Sequence, residues 1–123
     1  MQLRIYNNET IGDLQDKFNE CFPHLKLEFY RKPHSQQHAS LEVDRIKGDW
    51  KIGEIRKKHN TGVLEIKSWE KAGDVKQHFK DEFGLYVQIF CKENDKWIQS
   101  EKSDKLTLAE QSEIAAACSS IKK

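Results

Sequence analysis

The sequence contains no apolar run approaching the ~20 residues that a membrane-spanning helix needs, so no membrane span is expected. Its opening, "MQLRIYN", alternates apolar and polar residues where a secretory leader would carry an apolar core, and a cytoplasmic location is expected. Only three cysteines occur, Cys21, Cys91 and Cys118, too far apart and too few for a disulfide framework. Free thiols in a reducing compartment are the expectation. The six glycines are scattered singly, which excludes a glycine-rich phosphate cradle. No G-x-S-x-G elbow and no reactive-cysteine signature is present, so no enzymatic activity is expected. Charge of one sign is also missing. With 21 Lys and Arg against 20 Asp and Glu, the net charge is +1, which argues against binding driven by charge alone.

What is present fits one domain, residues 1–123, made of two similar halves, 1–60 and 61–123. Hydrophobic residues make up 37% and charged residues 33%, a balance suited to a small domain with much surface. Six Phe, three Tyr and three Trp supply enough apolar volume to exclude general disorder.

The halves repeat at an offset of 61 residues. Leu3 then meets Leu64, Ile5 meets Ile66 and Glu9 meets Glu70. Gly12-Asp13 meets Gly73-Asp74, Phe18 meets Phe79 and Phe22 meets Phe83. Two copies of this length are too few for a solenoid, and a duplicated β-α-β unit is the reading. Within each copy the hydrophobic period changes from two to about 3.6 residues, marking strand and then helix. "QLRIY" is the first strand, and a helix over 11–22 buries Ile11, Leu14, Phe18 and Phe22 on one stripe. Thr10 stands at its N-cap with Asp13 three residues on. Pro23 ends it, and "LKLEFYR" alternates as a second strand.

The second copy reads "VLEIKSW", a helix over 72–83, Gly84 as its C-cap, then "LYVQIFCK" and a return strand in "ENDKWIQ". Accessory helices are expected in "KIGEIRKKH" (51–59) and "LTLAEQSEIAAAC" (106–118), the latter opening on a capping box, Thr107 with Glu110. Residues 33–48 read mostly as loop. Together these predict an α+β fold of internally duplicated β-α-β units, a ferredoxin-like two-layer sandwich with accessory helices, with a β-grasp-like arrangement as the alternative. The "TIGDLQDKF" helix followed by "FPHLKLEFY" resembles a pattern of small bacterial proteins, and that resemblance implies packing without any activity.

Cys21, His24, His34 and His38 have a spacing that could suit zinc. Cys21 flanks an apolar stripe, however, and a strand between His24 and His34 carries them some 20 Å apart. No metal and no cofactor is expected.

One face of the sheet carries the remaining signal. If Leu3, Ile5, Leu25, Leu27, Phe29, Leu64, Ile66, Leu85, Val87 and Ile89 face the helices, alternation puts their neighbours opposite. That second face holds Arg4, Tyr6, Lys26, Tyr30, Lys67, Trp69, Tyr86, Phe90 and Lys92, with Glu28, Glu65 and Gln88 among them. Aromatic rings interleaved with basic groups suit a protein or peptide interface. They also suit base stacking by single-stranded nucleic acid, although no RNP-like run occurs. The accessory helices could instead cover the same face. The expected function is a small non-enzymatic binding or regulatory module acting through protein–protein contacts, with a protein or peptide partner or a second copy of the chain. Single-stranded nucleic-acid binding is the alternative, and no membrane partner is expected.

Overall fold

The computed structural model describes residues 1–31, 45–56, 60–93, 96–99 and 104–121. The elements run β1 (Gln2–Ile5), α1 (Ile11–Cys21), β2 (Leu25–Tyr30), α2 (Ile52–Ile55), β3 (Gly62–Glu65), α3 (Ala72–Phe83), β4 (Tyr86–Glu93), β5 (Lys96–Gln99) and α4 (Leu108–Ile121). The protein is α+β, as the periodicities predict.

The long helices form where their stripes predict. Thr10 Oγ1 accepts from the Asp13 amide while Asp13 Oδ2 accepts from the Thr10 amide, a reciprocal box at the start of α1. Its apolar stripe buries Ile11, Leu14 and Phe18. Helix α3 buries Ala72, Val75, Phe79 and Phe83 and ends on Gly84 at φ 65°, where a side chain would be strained.

The strands form two antiparallel sheets, β1-β3 and β2-β4-β5, where a ferredoxin-like sandwich would have one. Leu3 lies opposite Leu64, its partner in the repeat, and Glu28 lies opposite Gln88. The expected hairpin is present as β4 against β5. A single apolar core draws on both halves, including Leu3, Phe18, Leu27 and Ile52 from the first and Leu64, Phe79, Ile89 and Leu108 from the second.

The same local joints recur in each half. Ile11 donates to Trp50 O and Ile52 to Glu9 O, while Ala72 donates to Leu106 O and Leu108 to Glu70 O. These joints need a close approach at the first turn of each long helix. A Cβ at Gly12 would stand 3.2 Å from Gly48 O, and one at Gly73 would stand 3.0 Å from Asp104 O.

Two expectations need correction. The helix expected over 51–59 is a single turn, Ile52–Ile55, because Arg56 turns extended (φ −132°, ψ 151°). Its buried guanidinium then donates to Phe83 O at the end of α3 and to Asn7 Oδ1; residues 57–59 lie outside the described ones. In the segment read as loop, Arg45 and Ile46 pair along β2, with Ile46 N donating to Phe29 O.

Candidate functional site

Cross-strand register brings the first cluster together. Lys26 on β2 faces Phe90 on β4, and Lys92 on β4 faces Trp97 on β5. The Lys26 ammonium stands 5.3 Å from the centre of the Phe90 ring and 5.2 Å from that of Trp97. Lys92 approaches Trp97 from its own side at 5.8 Å. Among the described residues neither lysine has a carboxylate partner within ion-pair distance, so both charges rest on ring faces. All four side chains are half-buried. A cleft of about 240 Å³ lies alongside, lined by Gln15, Asp16 and Asn19 of α1 and by Lys26, Glu28 and Trp97.

Helix α4 does not cover this cluster. The Cys91 thiol, which alternation places on the opposite face from Phe90 and Lys92, donates to Gln111 Oε1 at 2.9 Å. Leu108 and Ala115 of α4 are buried, and α4 packs on β4.

Further along β2 and β4 the same face closes. Tyr30 is only 3% exposed, although its neighbour across the ladder, Tyr86, is half-buried. Glu28 and Gln88 are buried as well. Glu28 accepts from Gln15 Nε2 and from Arg45 Nη1, each at 2.7 Å. Gln88 Oε1 accepts from Lys76 Nζ at 2.9 Å, and that ammonium also meets Asp104 Oδ1 at 2.6 Å. Buried polar groups so bonded are structural.

The second cluster lies on the β1-β3 sheet. The Arg4 guanidinium sits 4.9 Å from the centre of the Tyr6 ring, and the Lys67 ammonium 5.5 Å from that of Trp69. Trp69 is 69% exposed. Beside β3 is a cleft of about 350 Å³, with Val63, Leu64, Glu65, Lys67, Trp69 and Glu70 on one side and His78 and Glu82 of α3 on the other. His78 lies 3.4 Å from Glu82 and 3.9 Å from Glu70.

The nine residues expected on one face are thus divided between two sheets. Arg4 belongs to one, with Tyr6, Lys67 and Trp69 just beyond the ends of β1 and β3; Lys26, Tyr86, Phe90 and Lys92 belong to the other, and Tyr30 is buried there. Trp97, His78 and Glu82 were not anticipated. Trp97 is in the return strand, and pairing "FCKE" with "KWIQ" across their turn is the signal that sets it against Lys92.

Cys21 is exposed and His24 half-buried, while His34 and His38 lie outside the described residues. Among the described residues no group of three or more His, Cys, Asp or Glu could hold a metal ion. No helix among them is long and apolar enough to cross a membrane. Comparison with protein-family models, curated proteins and solved structures finds no match for this chain.

Proposed function

We propose that the chain is a small non-enzymatic binding module that acts through protein–protein contacts, docking through Lys26, Phe90, Lys92 and Trp97. The observation that carries this reading is the pairing of two lysines, without a carboxylate partner among the described residues, with two half-buried rings in one cross-strand cluster. Aromatic rings of this kind supply rigid contact area, and an acidic partner would exchange ring contacts for ion pairs. Duplication explains the scaffold: the recurring joints and the pairing of Leu3 with Leu64 support two copies of one β-α-β unit closed on a shared core. A reducing, cytoplasmic setting fits Cys21 and Cys91, neither of which forms a disulfide.

The test is a comparison of wild type with Lys26→Glu/Lys92→Glu as crosslinking baits, both checked for equal thermal stability. Partners captured by the first and lost from the second support the reading. Identical captures would overturn it. Single-stranded nucleic acid is the second reading, favoured by the same rings and cations. It expects an oligonucleotide to quench Trp97, with affinity falling steeply as salt rises; quenching indifferent to salt would rule it out.

A further inference from the structure

The two sheets treat their edges differently. At the outer edge of β2, the side-chain amides of α1 bond the outward carbonyls: Asn19 donates to Leu25 O and Gln15 to Leu27 O, each at 2.9 Å. The backbone of Ile46 takes the next one, Phe29 O. That edge is closed to further strands.

Among the described residues the outer edge of β3 is open. Met1 and Ile66 exchange both backbone hydrogen bonds at 2.8 Å. Bonded and non-bonded pairs alternate along an antiparallel ladder. Leu3 with Leu64 and Ile5 with Gly62 are therefore the next bonded pairs, and Val63 and Glu65 turn their N–H and C=O groups away from β1. Among the described residues no hydrogen bond reaches those groups. They border the cleft of about 350 Å³ whose opposite wall is His78 and Glu82 of α3.

An open strand edge facing a helix across a groove is the geometry in which an extended peptide adds to a sheet. The charge of the groove selects the peptide. Glu65, Glu70 and Glu82 line it against one lysine, Lys67, which already lies over the Trp69 ring.

We propose that this groove is a strand-addition site for an extended peptide with lysine or arginine at alternate positions. Its main chain bonds the outward groups of Val63 and Glu65. One row of its side chains, all on one face because strands alternate, reaches Glu70 and Glu82 on the α3 side of the groove, where both stand beside His78. The site is separate from the Lys26 cluster and has the opposite charge preference, so either surface can fail without the other.

The experiment titrates an alternating Lys-Val peptide into the full chain carrying Trp50→Phe and Trp97→Phe, reading Trp69 fluorescence and the backbone amide shifts of Val63 and Glu65. The same peptide N-methylated on alternate amides, and a Glu-Val counterpart, serve as controls. Strand addition expects shifts at both amides and binding roughly five-fold weaker for each hydrogen bond lost to N-methylation, since a lost hydrogen bond removes about 1 kcal/mol. A second variant, Val63→Pro, removes an outward N–H and leaves the β1-β3 bonds in place, and it should weaken binding to a similar degree. Equal affinity for the N-methylated peptide overturns the proposal even if that variant fails to fold. So does preference for the Glu-Val peptide, or silence of both amides at millimolar peptide. A concentration-dependent dimer that shifts the same amides with no peptide effect would replace the peptide by a second copy of the chain.

Discussion

Glu28 and Gln88 face each other across the β2-β4 ladder, and each is held by the corresponding position of its own long helix, Gln15 in α1 and Lys76 in α3. The charge lies on the strand in one half and on the helix in the other. Among the described residues each charge then has one ion-pair partner, Arg45 for Glu28 and Asp104 for Lys76.

Removing those partners should have similar effects. Lys76 is 8% exposed, so Asp104→Ala leaves a buried ammonium with one neutral acceptor, Gln88. The Glu28 side chain is also 8% exposed, so Arg45→Ala leaves a buried carboxylate with one neutral donor, Gln15. A loss of about 1–3 kcal/mol is expected for each. Urea midpoints of the two variants decide it, and an unchanged midpoint in either would contradict the assignment.

Gly73→Ala should destabilise the fold although alanine favours a helix by about 1 kcal/mol over glycine. The new methyl would stand 3.0 Å from Asp104 O, a backbone atom that cannot swing aside, and 3.2 Å from Asp104 Cβ. Gly62→Ala is the control, since its nearest neighbour is the edge of the Phe83 ring at 3.7 Å. Thermal melting should drop for the first and stay near wild type for the second.

Acid should erode the two capping boxes. Hydrogen bonds from the Thr10 backbone and hydroxyl hold the Asp13 carboxyl below its ordinary range, and Thr107 does the same to Glu110. Lowered folded-state pKa values favour folding when the carboxylates are ionised. That contribution is complete at neutral pH and is lost as pH falls through the ordinary range to the lowered values. Asp13→Asn with Glu110→Gln should lower the urea midpoint at neutral pH and flatten its acid limb.

Thiol chemistry should separate Cys21 from Cys91. The first is exposed; the second is half-buried and bonded to Gln111. In a Cys118→Ser background, a disulfide reagent should titrate one thiol at once and the other slowly. Gln111→Ala should speed the slow phase.

Trp69 should be strongly quenched by acrylamide when Trp50 and Trp97 are replaced by Phe, as its 69% exposure requires. Weak quenching in a monomer would mean that the β3 groove is closed.

Local features were readable from sequence. The stripes of α1 and α3, the boxes at Thr10 and Thr107 and the Gly84 turn each depend on residues within a few positions of one another. Strand partners were not, because pairing Leu3 with Leu64 or Glu28 with Gln88 depends on which surfaces meet across the chain. The single aromatic face assumed one sheet, and dividing the strands between two broke it into clusters. Arg56 ended α2 early for a reason equally distant in sequence, its bond to Phe83 O.

The Glu28–Gln88 pairing also bears on which halves can associate. A symmetric dimer of first halves in the same register would set Glu28 against Glu28, two buried acidic groups that disfavour each other's charge. Second halves would set Gln88 against Gln88 without charge repulsion. One carboxylate therefore makes the unlike combination the favoured one for a first half, and a tether between the two keeps that combination within a single molecule.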